Sequence, residues 1–276
     1  MTSLLTFAIL LFAFGISATV HEFAHAYEMR KRGVKINSIG IGVPVKWLTI
    51  KTYSKYFDCP VTFSPLVVMA YVKPEKSNIW EEISLKDNVV ISGSGPWANY
   101  CLGLVLGMIL SILYGFFIPH LWMLLFALGM VLLAKRFFSY VIMPVLAILG
   151  LLAVIAMTGD AISADLAANS IGNGLKGAVD GGSATGDVFG GPIAIFNMTN
   201  GTVNGFVDFL SLTMTLTLAI GLLNTLPLFP LDGGRIVGAY IKNISPTINK
   251  AFENIGVILV VLLVVLSLGN DIISLF

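Results

Sequence analysis

His21-Glu22-Phe23-Ala24-His25 sets two imidazoles and a carboxylate within five residues near the end of an apolar run. On a helix, positions four apart lie on one face about a turn apart, so His21 and His25 can grip a single zinc ion. Glu22 is one step round from His21. It sits beside that ion without occupying a coordination position, where it can take a proton from a metal-activated water. Such a trio serves metal-assisted hydrolysis. A satisfied pair of core histidines is the bland alternative, but ionisable groups at the end of an apolar helix are expensive without a task.

A catalytic zinc takes three protein ligands and keeps one position open. The remaining histidine, His120, falls near the opposite membrane face from His21 and His25, and Cys101 lies more than a turn deeper along its own apolar span. Asp232 is the better third ligand, because a carboxylate at the end of a broken apolar helix needs a cation partner. An interfacial ion pair with Arg235 is the competing reading for that carboxylate.

The elements that position these residues are membrane spans. The chain has 276 residues, is 57% hydrophobic and only 11% charged, against about 25% charged in soluble domains. A net charge of +1 argues against nucleic acid as a partner. Cys59 and Cys101 support no disulfide framework. Six apolar stretches predict helices over about 4–27, 88–115, 116–134, 137–157, 206–226 and 255–275. The first has no basic segment before it and carries the histidines, so it is expected to be retained rather than cleaved as a signal. Arg30-Lys31-Arg32 stops it, which sets the metal roughly 8 Å inside the basic flank. If that flank is the inside, alternating spans put every lysine and arginine inside except Lys176, and put Asp232 on the same side as the histidines.

Between the first two spans, residues 36–75 change to short β-branched and aromatic runs punctuated by glycine and proline. This predicts a small membrane-associated β-region whose most strand-like piece is Leu66, Val67, Val68, Met69, Ala70, Tyr71 and Val72. Residues 158–191 form a polar, glycine-rich outer loop; its aspartates do not match a twelve-residue calcium loop. Helix breaks are expected at Gly95-Pro96 and from Pro227 to Pro230. The fold expected is an all-α polytopic membrane protein of about six spans with that β-region, organised as one domain over 1–276.

The ordered set of His-Glu-x-x-His, Gly95-Pro96-x-x-Asn99, and Asn224-x-x-Pro227 followed by Leu231-Asp232-Gly233 resembles the motifs of the site-2 protease family of intramembrane zinc metalloproteases. The resemblance covers the first hundred residues and about 190–240. It implies His21, His25 and Asp232 as ligands of one zinc per chain, Glu22 as general base, and Asn99 and Asn224 as polar groups near the substrate or the developing oxyanion. It also implies that the β-region is the family's membrane-associated one. Against the regulated bacterial members, this sequence is expected to hold no PDZ domain and no nucleotide-binding domain.

The activity this implies is hydrolysis of peptide bonds in or beside a transmembrane segment of a membrane-anchored substrate. The setting is a prokaryotic cell membrane, with the site near the cytoplasmic face. A helical substrate hides its peptide bonds in its own hydrogen bonds. The strand at residues 66–72 offers a solution, because an unwound substrate can pair with its edge. Two other classes compete: an ion- or proton-coupled transporter, whose mark is paired broken helices in similar halves, and an inactive zinc-binding membrane protein, which would lack the base.

Overall fold

The computed structural model describes residues 3–45, 47–67, 69–113 and 205–273. Its first helix, α1 (Ser3–Lys31), is 29 residues long, about 44 Å at 1.5 Å per residue and enough to cross a bilayer core. It ends in a Schellman turn. Gly33 takes the left-handed conformation (φ 72°), its N–H donates to the Arg30 carbonyl at 3.0 Å, and the Val34 N–H donates to Met29 at 2.9 Å. Arg32 then pairs with Glu28 and, at 3.0 Å, with Asp87 at the start of α3 (Leu85–Leu113), so the basic stop also fastens two helices together.

A four-stranded sheet follows α1, with order β2-β3-β1-β4. β1 (Ile36–Ile41) runs parallel to β3 (Cys59–Phe63) and antiparallel to β4 (Ala70–Pro74), while β2 (Ile50–Ser54) hairpins onto β3. Buried Ile36, Ile39, Cys59 and Val61 join Ala26 and Met29 of α1 and Ile91 of α3 in one core, which seats the sheet against the helix that carries the histidines. α2 (Ile79–Glu82) is a single turn leading into α3.

The strand expected over residues 66–72 begins later, at Ala70, and runs on to Pro74. The chain after Pro65 turns tightly, with the Val67 N–H donating to the Pro65 carbonyl at 3.0 Å, which is incompatible with a continuous ladder. Leu66 and Met69 only accept isolated bonds from Val43 and Gly42, at 2.9 and 2.8 Å, and the Val67 side chain lies against Gly15 of α1. Val68 lies outside the described residues.

α3 runs without interruption through Pro96, so the expected break at Gly95-Pro96 does not occur. Within an apolar helix bundle the single N–H lost at proline is tolerated when neighbouring groups re-satisfy the backbone. α4 (Phe206–Thr225) packs on α1 and α3; Leu210, Met214 and Leu218 meet Tyr100, Leu106 and Leu110. Its hydroxyls close back on their own helix, Thr213 onto Phe209 at 2.8 Å and Thr215 onto Ser211 at 3.0 Å, as apolar surroundings require.

The break after α4 is real. A turn with a cis Phe229-Pro230 bond leads into α5 (Asp232–Ile244), followed by α6 (Pro246–Ile273). α6 starts earlier than the hydropathy suggests, because Pro246 suits a first helical turn even where the sequence is still polar. Among the described residues, α1, α3, α4 and α6 are long and apolar enough to cross a membrane. The spans expected at 116–134 and 137–157, the 158–191 loop and His120 lie outside the described residues.

Candidate metal centre

Two helices and a turn converge on one point. α1 presents His21 and His25 from the same face, four residues apart, and α5 presents Asp232 from its first position. All three are buried. His21 Nε2 lies 2.9 Å from Asp232 Oδ2, His25 Nε2 lies 3.2 Å from the same oxygen, and the two nitrogens are 3.1 Å apart. Tetrahedral ligands at about 2.0–2.1 Å from zinc stand roughly 3.3 Å from one another, so this triangle has the dimensions of three corners of such a site.

The hydrogen bonding of His25 supports ligation. His25 Nδ1 donates to the Ile91 carbonyl of α3 at 2.7 Å, and the Ser94 hydroxyl donates to that same carbonyl at 2.7 Å. With its Nδ1 proton committed there, a neutral His25 turns the lone pair of Nε2 toward Asp232. Three electron-rich atoms converging in a buried place call for a cation among them, and imidazole with carboxylate is a donor set that zinc accepts. Arg235 is not that cation. Asp232 turns its carboxylate to the imidazoles, and no Asp232–Arg235 ion pair is found among the described residues.

The backbone makes room for the centre in two places. A Cβ at Gly95 would stand 2.4 Å from His25 Nε2 and 2.5 Å from His21 Nε2. Only glycine lets α3 approach the nitrogens this closely. On the other side, Cβ atoms at Gly233 and Gly234 would meet the Thr225 carbonyl and the Phe229 nitrogen, each at 2.2 Å. The pair lets the α4–α5 turn fold onto α5 and aim Asp232 inward.

A cleft of about 210 Å³ opens beside the three ligand atoms. Glu22 lines it, next to His21, together with Ala70, Tyr71 and Val72 of β4, Asn224 of α4, and Trp80 and Arg235. β4 is an outer strand of its sheet, so one edge of its backbone has no strand partner among the described residues. Asn224 is half-buried and donates to the Ile220 carbonyl at 3.0 Å with one of its two amide hydrogens.

Asn99 is packed between two helices. It is fully buried between α3 and α4, does not line the cleft, and donates to the Thr217 carbonyl at 3.2 Å. Leu66, Val67 and Met69 also do not line the cleft. Sequence reasoning does not single out the Ile91 carbonyl, Ser94 or Trp80, and it gives Arg235 only as an ion-pair partner of Asp232. A backbone acceptor carries no sequence signal, and a lone serine or tryptophan carries none that singles it out.

The model of peptidase family M50 matches residues 9–267. The chain is also similar to zinc metalloprotease RasP of Oceanobacillus iheyensis, 34% identical over 96 residues that make up 33% of this chain and 23% of that protein. A putative zinc metalloprotease of Streptococcus pyogenes serotype M3 is 34% identical over 110 residues, 38% of this chain and 26% of the relative. One of Fusobacterium nucleatum is 35% identical over 92 residues, 31% and 27% respectively. The chain thus aligns with about a quarter of the length of each of these relatives.

Proposed function

Because the chain belongs to peptidase family M50, we propose that it is an intramembrane zinc metalloendopeptidase of the site-2 protease kind, cleaving membrane-anchored substrates in or next to their transmembrane segments. The observation that carries this reading is the meeting of three ligand atoms within 3.2 Å of one another beside a cleft that Glu22 also lines. The zinc-metalloprotease names of its relatives support it.

His21, His25 and Asp232 hold one zinc ion. When bound, zinc supplies a Lewis acid that polarises the scissile carbonyl and makes water acidic near neutral pH. Glu22 accepts a proton from the attacking water and returns it to the leaving amine, so the amine departs neutral. Asn224 offers its second amide hydrogen to the carbonyl oxygen as that oxygen gains charge. Asn99 acts as a positioning residue, holding α3 to α4 and so fixing Gly95 relative to Asn224.

Substrate reaches the cleft as an extended segment. Ala70, Tyr71 and Val72 of β4 offer backbone N–H and C=O groups that replace the helix bonds a substrate gives up on unwinding. The unbroken α3 removes the paired helix breaks that a transporter reading would use. We further propose six spans in a single domain over 1–276, a β-region lying at the membrane surface, and a site near the cytoplasmic face of a bacterial membrane. Four apolar helices and the clustering of basic residues on one side support that arrangement. The reading is tested by zinc analysis of purified protein alongside cleavage of single-span peptides in detergent or liposomes. Zinc-loaded protein that cuts none of them would overturn it.

A further inference from the structure

Arg235 lies three residues after Asp232 on α5 and lines the same cleft. It also lines a second cleft of about 240 Å³, as Trp80 does, and its guanidinium sits 5.6 Å from the centre of the Trp80 ring. Arg235 and Trp80 therefore stand at the junction of the two spaces. Glu22 lines the ligand cleft with Arg235 but forms no ion pair with it among the described residues, and the other carboxylates nearby are engaged elsewhere. Asp232 faces the imidazoles, Glu81 pairs with Lys242 at 3.5 Å, and Glu253 accepts from Asn249 at 2.8 Å. Among the described residues no ion pair to Arg235 is found.

We infer that Arg235 is a specificity-determining residue that receives an acidic side chain of the substrate, a few residues from the scissile bond. The inference rests on the proteolytic reading above. A guanidinium is a rigid planar fork that matches a carboxylate with two parallel hydrogen bonds, and stacking on an aromatic ring restricts its orientation. A substrate strand laid along Ala70, Tyr71 and Val72 enters a cleft that this cation also lines. Discrimination works in both directions. Segments just outside the membrane on the cytoplasmic side are rich in lysine and arginine, and Arg235 repels them while it attracts glutamate or aspartate. The residue thus sorts candidate substrates by juxtamembrane charge before chemistry begins.

The test is a peptide series in which a single Glu, Gln or Lys is walked through the five positions on each side of the scissile bond of a cleaved, end-blocked single-span peptide. The wild-type protein is expected to show, at one or two adjacent positions, a kcat/KM for Glu roughly tenfold above that for Lys, carried mainly in KM and shrinking as salt is raised. Arg235→Glu should invert that preference at the same positions, Arg235→Gln should flatten it, and Arg235→Lys should keep its sign, all with zinc content retained. A merely structural arginine would lower all peptides together. Equal rates for Glu and Lys at every position in the wild type, or a Glu preference that survives in Arg235→Glu, would overturn the inference while leaving the protease reading intact. Failure of the zinc-loaded wild type to cut any peptide would overturn both.

Discussion

His21 Nε2 and Asp232 Oδ2 lie 2.9 Å apart across 211 positions of sequence. The pair joins the first helix to the turn that follows α4, so the centre depends on the fold of most of the described chain. It also means that each ligand is held by a different local device: helix periodicity for the histidines, and the glycine pair at 233 and 234 for the carboxylate.

Removing any one ligand should therefore release the metal. His21→Ala, His25→Ala and Asp232→Ala are each expected to bring zinc well below one per chain, and His120→Ala to leave it at one. Metal analysis after size-exclusion chromatography decides it. Zinc retained in Asp232→Ala would remove Asp232 from the ligand set.

Gly95→Ala makes a sharper test, since it replaces no ligand and alanine is the better helix former. The added methyl would stand within 2.5 Å of both Nε2 atoms, where α3 and α1 must separate to relieve it. Zinc binding should fall at least tenfold while helical content and yield stay at wild-type levels. Normal zinc affinity in this variant would mean that α3 does not close on the centre as described.

The edge of β4 calls for a backbone test. Consecutive residues of a strand point their N–H groups in opposite directions, so of Tyr71 and Val72 one donates toward β1 and the other toward the open edge. Proline at the first should reduce folded yield. At the second it should keep yield and zinc but cut cleavage about tenfold or more, because only the pairing offered to substrate is lost. Full yield and full cleavage in both variants would rule out strand addition there.

The chemistry was legible in the sequence because it is local or strongly typed. Two imidazoles four apart have one reading on a helix, and a carboxylate among glycines and prolines at the end of an apolar run has few. The strand begins later because β-branched residues signal extended chain without saying whether it is laddered, and the turn after Pro65 takes in Val67. Asn99 stands 118 positions from its partner carbonyl, so its place depends on the packing of α3 on α4, which no local motif reports. Pro96 read as a break because a lone proline is judged against an isolated helix, whereas α3 has α1 and α4 beside it.

The central claim is that this centre hydrolyses peptide bonds with Glu22 as the proton carrier. Glu22→Gln keeps the shape and removes the acceptor. Zinc content and cleavage of a transmembrane peptide, measured on the same preparation, test the claim most directly. The prediction is one zinc per chain with kcat reduced by roughly 10²–10⁴. Cleavage at the wild-type rate by a zinc-loaded Glu22→Gln protein would contradict it.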